Sequence, residues 1–529
     1  MGRSLVLVVT MVGLVVGVAS AAPADAGAPA NAVRVERLDA YVRDAMRAWE
    51  VPGLSVAIVD GDREPLVRAW GVRELGRPER MDPDTVFTIA SVSKSFTAAA
   101  LGLLVHEDRL AWETPVLDVL PYFRMPESDL TPRVNVVDLL AHRAGLDDPQ
   151  HVGWAGLTRR ELIERVRHYE TPVHFRDRLT YSNVGYTAAG ELIPALTGRS
   201  WDEFVTERLL RPLGMHASST TAAALHGAKN RSLSHVRRAD GTLVLDPFVA
   251  DGWWTNDFRA ASAGLNATTR DMVRWLQALA NRGRVDGRQV LPAEVVDRMM
   301  EPGILTEPDL PGAALAGYAL GLVVQEYGGQ RTVSHSGLFR GHGGRLIVLP
   351  ERRLGVYVFL NSRDAASGLD LGLALWILDR LLGRPAVDWS ARFRAEHERA
   401  LATRRAARDA FDARRTLGTQ PSLDREAYLG TYRHPAWGDW AVEQRDGALW
   451  LTSLAAKAPV AARLEHWERD TFRPAWNDPV DDYHVAERVT FRLDALGRVD
   501  ALRFENVADP YWGTIEFRRE TAAGDAQRP

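Results

Sequence analysis

A serine stands three residues before a lysine in Ser91-Val92-Ser93-Lys94. A serine hydroxyl attacks poorly until a neighbouring group takes its proton, and a lysine kept neutral by burial and nearby positive charge can take it. Thr88 to Ala90 lead into an apolar-periodic run (Phe96, Ala100, Leu101, Leu103, Leu104). That pattern predicts a helix opening at the motif, with Lys94 one turn beyond Ser91 on the same face. Backbone N–H groups at a helix start can also hold a developing oxyanion. The spacing alone fits an N-cap serine with a solvated lysine equally well. The rarity of lysine weighs against that: the chain has three, Lys94, Lys229 and Lys457, and only Lys94 follows a serine at this spacing. Arginine, always protonated, could not act as a base there.

Two later motifs offer partners. Tyr181-Ser182-Asn183 holds the one tyrosine of the chain that has an asparagine two residues on. A tyrosine beside a lysine can serve as a general base, and an asparagine amide can bind a substrate carbonyl. His335-Ser336-Gly337 lies on a predicted strand, Arg331 to Ser336. The glycine lets substrate lie against a strand edge, and the N–H of Leu338 becomes a second oxyanion donor beside that of Ser91. His335 also fits as an ordinary strand histidine, and His142 and His342 read as structural. The fourteen histidines show no H-E-x-x-H or H-x-H spacing and the chain has no cysteine, so no metal site is expected. The run closest to a G-x-S-x-G elbow, Gly53-Leu54-Ser55-Val56-Ala57, lacks the second glycine and opens a strand, which argues against an α/β-hydrolase.

The elements that must position these residues follow from patterning. Val35 to Trp49 reads as an amphipathic helix, and Leu54 to Asp60 with Leu66 to Gly71 as a hairpin. Asn135 to Leu140, Arg159 to Val166, Thr187 to Leu213 and Ala267 to Leu279 read as helical, and residues 302–316 as a Pro/Gly/Ala-rich loop. Strands resume at Arg331 to Ser336, Gly344 to Leu349 and Leu354 to Asn361, before an apolar helix, Leu371 to Leu382. Strands at both ends with helices between them predict an α+β fold: an antiparallel sheet flanked by helices, with an inserted helical subdomain. A crevice between the two parts is a natural site. Val387 to Arg415 reads as one long helix and Gly418 to Ser422 as a linker. The alternating segments from Tyr428 onward read as a small all-β barrel whose tryptophans (Trp437, Trp440, Trp450, Trp467, Trp476, Trp512) fill its core.

At 529 residues two or three domains are expected. A net charge of −4 without a basic block gives no sign of nucleic-acid binding. Arg3, the apolar run Leu5 to Val18 and Ala19-Ser20-Ala21 form an export signal with a small-residue cleavage site. The run is short for a membrane span, though an uncleaved anchor fits it too. The predicted division is a signal peptide 1–21, a disordered leader 22–34, a hydrolase domain 35–383, a helical linker 384–424, a barrel 425–520 and a disordered tail 521–529. The mature protein is expected to be secreted or periplasmic, without a stable membrane span.

In the order of its motifs the chain resembles the serine β-lactamases and penicillin-binding peptidases, particularly the class C β-lactamase-like branch. The resemblance covers roughly Val35 to Gly383: S-x-x-K, then Y-x-N, then (Lys or His)-(Thr or Ser)-Gly. Leu139-Leu140-Ala141-His142-Arg143-Ala144-Gly145-Leu146 is similar to the family's "LLTHTSGL", and Pro212-Leu213-Gly214-Met215, Gly264-Leu265 and Thr269-Arg270-Asp271 fit as well. The barrel is similar to the lipocalin-like domain of some members. The resemblance implies that Ser91 is acylated, that Lys94 helps deprotonate it, and that Tyr181 shuttles protons to the leaving group and from the deacylating water. It implies that Asn183 orients substrate, that His335, Ser336 and Gly337 form the strand-edge wall, and that no metal or cofactor is needed. His335 stands where many β-lactamases have lysine, so a fixed charge for a substrate carboxylate is lost unless Arg340 or Arg345 supplies it. Ala144 replaces a usual serine. The expected activity is hydrolysis of a peptide or amide bond of D-amino-acid type; carboxyl esters, weak β-lactam hydrolysis, or a non-catalytic binding or sensor role are the alternatives.

Overall fold

Two strands buried along almost their whole length, Gly53–Asp60 (β1) and Leu354–Leu360 (β8), pair antiparallel from Leu54↔Leu360 to Asp60↔Leu354. The computed structural model that shows this describes residues 33, 35–146, 157–169, 174–238, 241–246, 257–454, 460–476, 487–505 and 514–520. The expected signal, nearly all of the leader, Trp512 and the expected tail lie outside the described residues. Around the central pair runs an eight-stranded antiparallel sheet. Its other strands are Leu66–Gly71 (β2), Ile304–Thr306 (β3), Ala316–Tyr318 (β4), Val323–Tyr327 (β5), Gln330–Phe339 (β6) and His342–Leu349 (β7). The order across it is β2-β1-β8-β7-β6-β5-β4-β3.

Alternation along each strand feeds two cores, because successive side chains point to opposite faces. Ala57, Val59, Tyr357 and Phe359 enter one; Leu54, Val56, Ile58, Val356 and Val358 enter the other. The second core is closed by helices Leu38–Trp49 (α1) and Leu369–Leu381. The first takes in helix Ser93–His106 (α2), where every residue from Ser93 to Leu104 is buried. A helix buried all round is the hub of its layer, and its polar side chains are satisfied inside the protein. Ser93 Oγ accepts from Leu265 N–H at 3.1 Å, Ser95 Oγ from Trp275 Nε1 at 3.1 Å, and Thr97 Oγ1 from Trp201 Nε1 at 3.0 Å.

The expected α+β architecture is present, with three local differences. Residues 302–316 are not all loop: they contain β3 and lead into β4, which pair with each other and extend the sheet beyond β5. Pairing overrides local propensity there, and the prolines stay at an edge where a missing N–H is tolerated. The helix expected from Ala267 starts at Thr269, capped by the Thr268 side chain, while Asn266–Thr268 pairs with Val86–Thr88. Asn183 already opens the helix expected from Thr187.

Helix Trp389–Asp412 buries only Trp389 and Ser390 and leads to the C-terminal barrel. Eight strands, from Gly430–His434 to Thr514–Arg519, each pair with the next, and the last pairs with the first (Tyr432↔Arg519), so the barrel is closed. Aromatic rings pack against one another in it, as in Tyr428 on Phe491 and Phe504 on Phe517. The tryptophans divide. Trp440 is core, whereas Trp467 lies under Arg415, Arg473 and Arg488 beside the end of the long helix. Trp437 stacks on Tyr169 of the hydrolase region with ring centroids 5.0 Å apart.

Candidate active site

The backbone turns sharply just before Ser91. Ala90 has φ +47°, in the left-handed region, and Ala90–Val92 forms a single 3₁₀ turn that runs into α2. An alanine held there is a strained feature of the kind that collects at functional sites. The turn leaves Ser91 partly exposed while Lys94, one turn on, is fully buried. Gly321, at φ +78°, lies so close that a Cβ would sit 2.8 Å from the Lys94 carbonyl, so the chain passes over the lysine only without a side chain.

Lys94 Nζ lies 3.1 Å from Ser91 Oγ, 2.8 Å from Asn183 Oδ1 and 3.1 Å from the Ser262 carbonyl. The last two can only accept, so they take N–H groups of the lysine. The contact with the serine can run either way. An ammonium donates along it, and a neutral amine accepts the Ser91 proton along the same line. Nζ also lies over the Tyr181 and Tyr186 rings, at 4.6 and 5.3 Å from their centroids.

Ser182 caps the helix Asn183–Thr197 (α3), its side chain accepting from Gly185 N–H at 3.0 Å. Tyr181 therefore precedes the cap and is partly exposed, and Asn183 is the first helical residue and is buried. Asn183 Oδ1 is turned to Lys94, which leaves the N–H groups of the amide as its donors.

On the other side of the crevice, β6 is paired with β5 only as far as Ser334, whereas its pairing with β7 runs on to Phe339. His335 to Phe339 thus form a strand edge, with Ser336 and Leu338 exposed. Gly337 lies directly against the turn that carries Ser91: a Cβ there would meet the Ile89 carbonyl at 2.2 Å and Ala90 Cβ at 3.3 Å. Only glycine permits that approach, which sets the Leu338 strand beside the serine.

His335 is buried between two partners. Its Nδ1 donates to the Ser336 carbonyl, so Nε2 accepts from the Tyr318 hydroxyl at 2.8 Å. Burial, reinforced by Lys94, pushes it down from 6.5 to about 3, and the ring is neutral at physiological pH. Neither arginine considered above replaces the charge. Arg340 is fully buried against Asp246, and Arg345 is paired with Asp309 at 2.7 Å and Asp370 at 3.4 Å.

The structure brings Ser91, Lys94, Tyr181, Asn183, His335 and the Ser336-Gly337-Leu338 strand edge close together. Sequence reasoning missed Tyr318, which sits on β4, a short strand between β5 and β3, without a motif. It also passed over His142, whose ring lies 4.2 Å from that of Tyr181. Among the described residues no cluster of acidic or histidine side chains suits a metal ion.

The profile of the Beta-lactamase family matches residues 38–377, and a domain of unknown function, DUF3471, matches residues 414–519. An unguisins hydrolase, ungD', of Aspergillus campestris is 26% identical over 75% of this chain and 75% of its own length. Penicillin-binding protein 4 of Amycolatopsis lactamdurans is 30% identical over 61% of this chain and 84% of its own. A D-aminopeptidase of Brucella anthropi is 27% identical over 66% of this chain and 62% of its own. Among solved structures, the octameric penicillin-binding protein homologue from Pyrococcus abyssi shares the fold at a TM-score of 0.59 and 22% identity, over 90% of this chain and 97% of that one. From its matched profile and its fold, this chain belongs to the Beta-lactamase family, as a β-lactamase-fold serine hydrolase.

Proposed function

We propose that the protein is an exported amidohydrolase that cleaves peptide or amide bonds of D-amino-acid type through an acyl-enzyme on Ser91. The observation that carries the mechanism is Lys94 Nζ, held by two obligate acceptors and 3.1 Å from Ser91 Oγ. Ser91 Oγ attacks the substrate carbonyl carbon as its proton passes to Lys94. The N–H groups of Ser91 and Leu338 hold the oxyanion. The C–N bond then breaks as Tyr181 gives its proton to the departing amine and recovers one from Lys94. Water attacks the ester carbonyl, its proton relayed through Tyr181 to Ser91 Oγ as the acyl C–O bond breaks, which restores Ser91, Lys94 and Tyr181 to their starting forms. Among the described residues, the neutral His335 and the paired Arg340 and Arg345 offer the strand edge no cation for a carboxylate, which supports amides over β-lactams. The relatives named D-aminopeptidase support the same substrate class. Export rests on the N-terminal run Leu5 to Ala21.

The test is a panel of D- and L-aminoacyl p-nitroanilides, short-chain p-nitrophenyl esters and a chromogenic cephalosporin, run on the parent and Ser91→Ala. The expected result is a product burst equal to enzyme concentration on the D-amides and its absence in Ser91→Ala. Turnover of esters alone would make the protein a carboxylesterase, and failure of a fluorophosphonate to label the parent would remove the acyl-enzyme altogether.

A further inference from the structure

His142 holds the chain on both sides of Tyr181. Its backbone carbonyl accepts from Thr180 N–H at 2.8 Å, and its ring Nδ1 accepts from Ser182 N–H at 3.0 Å. Between these two anchors its imidazole lies against the Tyr181 ring, centroids 4.2 Å apart at an interplanar angle of 37°. The residue has φ +55°, and that backbone conformation lets one residue present its carbonyl and its ring to consecutive peptide units. Because an amide N–H can only donate, Nδ1 carries no proton and the ring proton sits on Nε2. His142 Nε2 is buried and meets no hydrogen-bond partner among the described residues. A packing residue that leaves a polar hydrogen unmatched costs stability, so the ring is retained for what Nδ1 and its face do.

We propose that His142 is a positioning residue for the proposed proton carrier, setting the Tyr181 ring over Lys94 and, through Ser182, the start of α3 from which Asn183 reaches the same lysine. This rests on the reading of Tyr181 as proton carrier. The groups facing the imidazole are Tyr181, Tyr186 and Tyr318, with Lys94 and His335 close enough to oppose its protonation. Burial, aided by those two, holds it well below 6.5, so the grip on Ser182 is kept throughout the neutral range. Protonation of Nδ1 would break it.

The experiment compares His142→Leu, His142→Asn and His142→Gln in the full chain. Leucine keeps bulk and has no acceptor. Asparagine places an oxygen where Nδ1 stood, and glutamine places one further out, near Nε2. Each is assayed at a temperature where circular dichroism shows it folded. A displacement of about 1 Å in a proton carrier costs about 100-fold in rate. The expected order in kcat/KM is parent, then Asn within about fivefold, then Gln and Leu lower by about 100-fold. The apparent pKa of the basic limb should shift in His142→Leu and return in His142→Asn. Asparagine tolerates the φ of +55° better than leucine or glutamine, so Tm is measured for each variant; activity that tracks Tm and ignores the acceptor would overturn the proposal. So would a His142→Leu enzyme within threefold of the parent. If His142→Leu does not fold, Asn against Gln makes the same comparison, and equal activities overturn it. A parent without an acylation burst fails the proposed function and this inference with it; a parent burst with unchanged burst rates in the variants fails this inference alone.

Discussion

Gly337→Ala is the sharpest perturbation the crevice offers. An ideal Cβ at this position lies 2.2 Å from the Ile89 carbonyl oxygen and 3.3 Å from Ala90 Cβ. A carbon–oxygen contact needs about 3.3 Å, so strand and turn must separate by about 1 Å. Nothing flexible takes up the strain, because the first atom met is backbone. The two peptide units that move apart are those beside Ser91 and Leu338, the proposed oxyanion donors. Losing the alignment of one such donor costs about 100- to 1000-fold in kcat, whereas overpacking of this size costs stability of about 1–3 kcal/mol. We expect kcat and kcat/KM on a D-aminoacyl p-nitroanilide to fall together by about 100-fold, the pattern of an interaction made in the transition state. Gly227→Ala is the control: a Cβ there meets nothing within 4 Å, and kcat should stay within about twofold. A folded Gly337→Ala enzyme with kcat within threefold of the parent would refute the reasoning.

Stability should fall on acidification. His335 and His342 are buried and held near 3, and His142 well below 6.5. Below pH 6.5 the unfolded chain binds protons at these rings that the folded chain does not, so stability drops as pH falls from about 6.5 toward 3 and is insensitive to these groups above that range. Each contributes up to about 1.4 kcal/mol per pH unit; a urea midpoint unchanged between pH 7 and 5 would contradict it. Trp437→Ala removes the stack on Tyr169 that joins barrel to hydrolase region. Calorimetry should then resolve two transitions where the parent shows one, and a single transition lowered as a unit would mean the contact does not couple them.

Much of the crevice was legible because its chemistry demands rare residue types. Lys94 stands out in a chain that otherwise uses arginine, and Tyr181 with Asn183 forms a pair found once. Gly337 was legible as a glycine, but the atom it makes room for, the Ile89 carbonyl, belongs to a segment almost 250 residues away. Tyr318 was hidden because its strand exists only through pairing with β3 and β5, in a stretch whose local composition reads as loop. His142 was visible as part of a motif, yet its two bonds to residues 180 and 182 involve backbone groups that any sequence would supply. The tryptophans of the barrel were legible as a group but not as core, joint and stack, since a ring's depth in a barrel wall depends on which face the register gives it.

The central ladder also sets the order in which this protein can come into being. β1 meets β8 across some 300 residues, Leu54 opposite Leu360. As the chain emerges, β1 is followed by the whole helical middle long before its neighbour exists, and it must wait with an unpaired apolar edge. The strand that borders Ser91, β6, is equally late. No N-terminal fragment ending before residue 330 can therefore carry a working crevice. Folding that depends on so distant a contact is slow, so the chain spends longer open than one whose central strands are near neighbours in sequence.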